Sequence, residues 1–399
     1  MARARRDTPR CEKVLHFNNA GASLMPRPVL EATTGYLELE AEMGGYEAEA
    51  FAADRLERVY DALASLLGCQ RGEVAFVENA TRAWDMAFYS FPFKVGDRIL
   101  TGVAEYGSNF IAFLQVARRT GARIDVIPND ERGQTSVEAL RGMLDERVKL
   151  IAITQVPTNG GLVNPVAEIG KVAKEARIPY LLDACQAVGQ MPLDVEAIGC
   201  DLLTGTGRKY LRGPRGTGFL YVRRDLLKGL EPPFLDLHAA RWVAPDRYEI
   251  RPDARRFENW ETNCAGKVGL GVAVDYALSF GLDAIEERVT ALSASLRERL
   301  GEIPRVTVHD LGARKCGIVT LTVAGIPPEE VQRRLARERM NTSVTSIGAT
   351  RLDMERRGLE SLLRASVHYY NTQDEVERFA AAVEGIAATS SSSASRPGA

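Results

Sequence analysis

Cys200-Asp201-Leu202-Leu203-Thr204-Gly205-Thr206-Gly207-Arg208-Lys209-Tyr210-Leu211-Arg212-Gly213-Pro214-Arg215-Gly216-Thr217-Gly218-Phe219-Leu220-Tyr221-Val222 is the stretch from which the fold is read. Two short apolar runs, 202–204 and 218–222, have the length and content of buried strands. The glycines, prolines and basic residues between them read as a loop. Lys209 therefore sits on a loop joining two strands of one sheet. Such a loop holds an amine in a fixed place, and partial burial makes a lysine release its proton more easily. A solvated surface lysine beside Arg208 is the alternative, and for an isolated lysine it is the commoner state.

Similar short runs recur at 74–77, 98–101, 124–127, 150–154 and 180–182, with helical patterns between most of them. This alternation predicts an α/β fold with a mostly parallel seven-stranded sheet covered on both faces. Leu181-Leu182-Asp183-Ala184-Cys185-Gln186-Ala187 puts Asp183 at the carboxyl end of a buried strand, the edge where open α/β sheets bind ligands. An Asp at this place also serves as a helix cap. Beyond Lys267 one helical pattern runs to about Leu300, followed by a strand at 317–323, a helix at 328–339 and a strand at 364–368. That βαβ-like order predicts a smaller second domain. The expected organisation is an N-terminal segment (1–20), a large domain (21–266), a small C-terminal α/β domain (267–388) and a low-complexity, disordered tail (389–399).

The 399 residues, 45% of them hydrophobic, suffice for two domains with sizeable cores. A formal net charge of −2 gives no reason to expect nucleic acid or an anionic membrane as partner. No apolar run approaches the ~20 residues of a membrane span. The start Met1-Ala2-Arg3-Ala4-Arg5-Arg6-Asp7 is basic but lacks the apolar region of a signal peptide, so a cytoplasmic location is expected. Cys11, Cys69, Cys185, Cys200, Cys264 and Cys316 have no metal-ligand spacing, so no metal is expected and the thiols read as free and mostly buried.

The Asp183 segment and the Lys209 loop lie between Phe17-Asn18-Asn19-Ala20-Gly21-Ala22-Ser23 and Tyr370-Asn371-Thr372. In that order these motifs resemble the fold-type I pyridoxal phosphate (PLP) enzymes of aminotransferase class V, which include cysteine desulfurases, isopenicillin N epimerase-like proteins and related C–S lyases. The resemblance covers nearly the whole chain. It implies that Lys209 carries PLP as a Schiff base, with Asp183 on the pyridine nitrogen and Gln186 on the ring oxygen. Glu78-Asn79-Ala80-Thr81-Arg82 opens a helix and matches the family's phosphate loop, so Ala80, Thr81 and Arg82 are expected at the phosphate together with the Thr206 hydroxyl. Arg208 replaces a histidine found in many relatives.

Tyr106 takes the place of the histidine that stacks on the ring in cysteine desulfurases. Tyrosine stacks well, but it does not exchange protons near neutral pH as imidazole does, which moves acid/base work toward Lys209. Thr158 and Asn159 are expected at the ring or the substrate. Arg364 matches the family's carboxylate-binding arginine, with Asn19 also assigned to the substrate; a structural salt bridge is the other use of such an arginine. Thr262 lies in a stretch that in the family reaches the partner's phosphate, which implies a homodimer with active sites at the interface. Trp242, Trp84 and Tyr46 are candidate pocket aromatics, equally accounted for by core packing.

One segment departs from the desulfurase pattern. Asn341-Thr342-Ser343-Val344-Thr345-Ser346-Ile347-Gly348-Ala349-Thr350-Arg351-Leu352-Asp353 has no cysteine where desulfurases keep their nucleophile, so persulfide formation is not expected. The Ser/Thr-rich segment and the ending at 364–372 are most similar to cysteine S-conjugate lyases of ergothioneine and lincosamide type pathways. The expected reaction is β-elimination from an S-substituted cysteine, giving a thiol, pyruvate and ammonia. Decarboxylation or oxidative deamination, amino transfer and epimerisation stay open. So does a PLP-fold binding module without catalysis, although Lys209, Asp183 and Arg364 occurring together speak against it.

Overall fold

The seven apolar runs all form strands of a single sheet. The computed structural model describes residues 2–389, so the tail expected at 389–399 lies almost wholly outside the described residues. After Leu15–His16 (β1) come Val74–Val77 (β2), Arg98–Gly102 (β3), Arg123–Ile127 (β4), Val148–Thr154 (β5), Tyr180–Asp183 (β6), Leu202–Thr206 (β7) and Gly218–Val222 (β8). The sheet order is β2-β8-β7-β6-β5-β3-β4. Strands β3 to β7 pair in parallel, whereas β8 is antiparallel to β7 and β2. Only the loop 207–217 connects β7 to β8, and it contains no crossover helix of the kind a parallel return needs. Lys209 is thereby held just past the carboxyl end of β7.

Alternate strand residues enter opposite cores. Phe76, Leu100, Ile151, Leu182, Leu203 and Phe219 join one, and Ala75, Ile99, Leu150, Leu181, Leu202 and Leu220 the other. Burial of both faces is why the strands read as continuous apolar runs. The hairpin Ala240–Ala244 (β9) and Arg247–Ile250 (β10) projects from this body with most of its residues exposed or half-buried.

Two expectations need correction. The helical pattern from Lys267 to Leu300 is two helices, Cys264–Leu278 and Leu282–Gly301, bent by 79° at a break where Gly281 has φ 80°. Apolar spacing resumes after the break, so the pattern alone does not register it. The C-terminal strands are Val306–Val308 (β11), Ile318–Val323 (β12), Met340–Asn341 (β13), Ser343–Ser346 (β14) and Ser361–Ser366 (β15). They form the antiparallel order β11-β12-β15-β14, with β13 paired instead to β1. The expected βαβ unit is therefore split: β12 and β14 are connected through the helix Pro328–Arg337, and β15 inserts between them, antiparallel to both. Arg364 lies on that inserted strand, opposite Thr320 and Ser343.

The first residues are tied to this C-terminal part. β1 runs parallel to β13, Ser366 N–H donates to Phe17 O at 2.7 Å, and the Phe17 and Phe379 rings are 5.1 Å apart. Thr372 and Glu375 form a reciprocal cap on the last helix, Gln373–Thr389, each accepting the other's backbone N–H. Among the described residues no single helix is long and apolar enough to cross a membrane.

Gly218 begins β8 against the turn that starts the helix Ala80–Phe88. A Cβ there would lie 2.6 Å from the Asn79 carbonyl carbon. Gly218→Ala is expected to destabilise the protein by about 1–3 kcal/mol through overpacking. Denaturant unfolding checks this as a lower midpoint at constant slope; an unchanged midpoint contradicts the contact.

Candidate active site

At the carboxyl ends of β3, β5, β6 and β7 the sheet opens into a cavity of about 340 Å³. Each strand end or following loop contributes: Tyr106 and Asn109 after β3, Thr154, Val156 and Thr158 from β5, Asp183, Cys185 and Gln186 from β6, and Thr206, Arg208 and Lys209 from β7. Asn79, Ala80 and Thr81 close it from the loop after β2. A wider groove of about 800 Å³, lined by Asp97, Val148 and Pro179 among others, lies at the opposite, amino ends of β3, β5 and β6 and contains none of the predicted site residues.

Asp183 is 6% exposed. Its Oδ2 accepts from Asn109 Nδ2 at 2.9 Å and its Oδ1 from the Cys185 N–H at 2.8 Å. Burial raises its proton affinity, while these two donors and the nearby Lys209 oppose that rise. The bond to Cys185 N–H closes a local turn and is not the helix cap that an Asp here can also serve as, since no helix follows until Val195–Ile198; the carboxylate lines the cavity and has acceptor capacity left. Burial also pushes the Lys209 amine toward its neutral form, aided by the Arg208 and Arg364 charges and opposed by Cys185 and Asp183. The Cys185 thiol lines the same cavity as Lys209, and burial holds the thiol pKa up against the pull of the Lys209 charge.

The helix Ala80–Phe88 begins with Asn79 as its cap, whose side chain accepts from the Arg82 N–H at 2.9 Å. Ala80 and Thr81 line the cavity, and first-turn N–H groups have no acceptor within their own helix. These groups fit an anion. Gln186 donates through Nε2 to Ala20 O at 3.1 Å and to Thr158 Oγ1 at 3.4 Å, which leaves its buried Oε1 unpaired among the described residues. A buried carboxylate and a helix N-terminus around one neutral-leaning amine fit PLP, with its acidic phosphate and basic ring nitrogen, whereas Gln186, with both Nε2 hydrogens used, presents an acceptor and not the donor expected at the ring oxygen.

Residues 15–379 match the family model described as aminotransferase class-V. The chain belongs to the aminotransferase class-V family. It is 34% identical over 402 residues to a "Probable cysteine desulfurase" of Xylella fastidiosa (strain 9a5c), covering 96% of this chain and 94% of that one. To a "Probable cysteine desulfurase" of Methanothermobacter thermautotrophicus it is 29% identical, with 96% and 97% covered. The apo structure of a cysteine desulfurase from Thermococcus onnurineus NA1 superposes with a TM-score of 0.91 at 27% identity, covering 97% of this chain and 98% of that one. The architecture is thus the fold-type I, PLP-dependent α/β fold expected from the sequence, and the family's cofactor is PLP.

Within this class-V chain the remaining predicted residues sort by position. Thr206 lines the cavity and donates to Thr217 O. Tyr106 lines it too, 36% exposed, at the cap of the helix Gly107–Thr120. Arg208 lines the cavity but spends a guanidinium N–H on Gly21 O. Arg364, 8% exposed, donates through Nη1 to the Thr158 hydroxyl at 2.6 Å and carbonyl at 3.2 Å, and through Nε to Ser343 Oγ at 3.1 Å. It forms no ion pair among the described residues, so the salt-bridge alternative finds no support.

Arg364 meets the cavity only through Thr158, and four further predicted residues are not brought to it. The Arg82 guanidinium turns to Asn259 and the face of Phe234. Asn19 is fully buried against His16 O, Ser366 O and the Tyr370 hydroxyl. Asn159 ties the 345–354 segment through Thr345, Ser346, Thr350 and Met354. Thr262 lines a separate groove with Tyr46, Trp260 and His238. Of the candidate aromatics, Trp84 is core, whereas Trp242 and Tyr46 are more than 70% exposed and outside the Lys209 cavity.

Sequence reading missed Asn109, Cys185 and Glu105. Cys185 stands two residues from Asp183, a spacing that brings it to the same strand end; Asn109 follows Glu105 by one helical turn. Glu105 is 3% exposed, and its carboxyl pKa is pushed up to about 7 by burial.

Among the described residues Lys267 is a second lysine whose amine burial pushes toward neutrality, but its Nζ donates to the Tyr60 hydroxyl at 2.8 Å, outside this cavity. Borohydride reduction of the protein with bound PLP should therefore fix the label on Lys209 alone, read by peptide mass spectrometry. Label on Lys267, or spread over surface lysines, contradicts the assignment of the cavity.

Proposed function

We propose that this protein is a PLP-dependent C–S lyase that eliminates the sulfur substituent of an S-substituted cysteine, within the broader cysteine desulfurase-like group to which its relatives belong. The observation that carries this reading is the meeting of Lys209 and Asp183 in one cavity with Arg364, free of any ion pair among the described residues, directly behind its Thr158 wall, and no cysteine in 341–353. Relatives named cysteine desulfurase support C–S chemistry on an amino acid.

Each residue then has a task. Arg364, already oriented by Thr158 and Ser343, has an unused N–H edge that pairs with the substrate carboxylate. Lys209, whose burial favours loss of its proton, accepts the α-proton at Nζ. Asp183, kept in place by Asn109 and Cys185 N–H, provides the negative charge facing a positive ring nitrogen. The first turn of Ala80–Phe88 and Thr206 hold the phosphate. PLP, when bound, supplies the electron sink that lets the pair left at Cα be delocalised. The Cβ–S bond breaks, the sulfur leaves as a thiol, and water converts the released enamine to pyruvate and ammonia.

A second reading is favoured by one observation. The Cys185 thiol lines the cavity beside Lys209, so sulfur transfer from free cysteine to Cys185 would give alanine and a Cys185 persulfide. Burial, which keeps this thiol protonated, weakens it as a nucleophile. We also propose a homodimer in the cytoplasm. Tyr46, Phe51 and Trp260 are each more than half exposed, and Tyr46 and Trp260 share a groove with Thr262 and the acidic Glu40, Glu47, Glu49 and Glu261; exposed aromatics of this kind support burial against a second copy of the chain.

With S-alkyl cysteines the expected products are pyruvate and thiol in equal amounts, and Cys185→Ala should retain turnover. Alanine with protein-bound persulfide, lost in Cys185→Ala, would favour the second reading. Arg364→Lys should lower kcat/KM by about 10²-fold, because one ammonium cannot replace a bidentate pair worth about 2–3 kcal/mol; an unchanged value would remove Arg364 from the site.

A further inference from the structure

The Glu105 carboxylate is buried at the junction of three elements that build the cavity. Its Oε1 accepts from Tyr106 N–H at 3.0 Å, Asn109 Nδ2 at 2.8 Å and Thr154 Oγ1 at 2.5 Å, and its Oε2 from Thr154 N–H at 3.1 Å and Thr101 Oγ1 at 3.2 Å. Five donors converge on it, and it has no ion pair among the described residues. Only a carboxylate, an acceptor with no hydrogen to give, satisfies such a set. Asn109 Nδ2 is shared: it donates to Glu105 at 2.8 Å and to Asp183 at 2.9 Å. One side-chain amide thus bridges two buried carboxylates.

We propose that Glu105 is a positioning residue for Asp183, acting through the shared Asn109 amide. The proposal rests on the reading of Asp183 as the carboxylate that faces the cofactor ring. With Glu105 in place, the nitrogen side of the Asn109 amide is pinned toward both carboxylates, and Asp183 has one oxygen fixed by Asn109 and the other by Cys185 N–H. Glu105 also adds negative charge one amide away from Asp183. The titratable groups facing it are Asp183 and Tyr180 of β6 and the adjacent Tyr106, with Lys209 beyond Asp183; Thr154 of β5 and Asn109 of the following helix are neutral. Burial and the Asp183 charge leave Glu105 titrating at about 7, so its charge, and its support for a positive ring nitrogen, is present above that pH and fades below it.

The test uses Glu105→Gln, read by PLP dissociation in equilibrium dialysis and by the pH midpoint of the holoenzyme's visible absorbance. Less negative charge near the ring disfavours its protonated forms, so the midpoint should fall and the dissociation constant rise by about tenfold, the scale of losing an outer partner of a cofactor ligand. The cofactor-free variant is checked by thermal unfolding. If it fails to fold, Asn109→Ser, which cuts the bridge but keeps the Glu105 charge, must raise the PLP dissociation constant in the same way, and a wild-type dissociation constant in that variant overturns the proposal. Wild-type values for both quantities in a folded variant overturn the proposal. Wild-type protein that binds no PLP at all would instead overturn the cofactor-facing role of Asp183 on which it rests.

Discussion

Asp183 is a carboxylate held almost out of water at the carboxyl end of β6, and the site is arranged around the cost of keeping it there. An unpaired buried charge either neutralises or finds compensation. Here compensation comes from neutral donors, Asn109 and Cys185 N–H, and from the Lys209 amine nearby. Those donors leave the carboxylate partly served, which is the condition for it to hold a further positive group. Arg364 is the counterpart of opposite sign: a buried guanidinium, braced by Thr158 and Ser343, whose missing partner is an anion. On the proposed reading, the partly served carboxylate of Asp183 and the guanidinium behind Thr158 would take a cationic ring on one side and a carboxylate on the other.

The sheet makes this separation possible. Parallel strands end together, so residues remote in sequence, from β3, β5, β6 and β7, meet along one edge. The single antiparallel strand, β8, folds the Lys209 loop back over that edge, and β15, inserted between β12 and β14, delivers Arg364 from the C-terminal sheet. Thr158 is the joint between the two sheets, since the same residue lines the cavity and accepts from Arg364.

What could be read in the chain follows from where each residue's partners lie. Asp183, Lys209, Thr206 and Thr81 stand at the ends of apolar runs, and the strand period alone brings them to the edge. Asn19 and Asn159 stand in equally suggestive motifs, but their amides are consumed by Ser366 and Thr350, 347 and 191 positions away, which no local pattern reports. Arg82 is one helix position past Thr81, and a turn of about 100° per residue is enough to send it to Asn259 instead. The split of the C-terminal βαβ unit stayed hidden because β15 is inserted by topology and not by composition. Glu105 and Asn109 flank the Tyr106 position and were passed over, since a buried carboxylate is recognised only once its five donors are seen.

The central claim is that Asp183 and Lys209 act together to make the substrate Cα–H labile. Its most direct measurement is exchange of that hydrogen with deuterium, followed by NMR in D2O, on an amino acid such as alanine that has no sulfur to eliminate. Wild-type protein with PLP should exchange the proton, and both Asp183→Ala and Lys209→Ala should reduce the rate by several orders of magnitude. Exchange that persists at the wild-type rate in either variant would contradict the account.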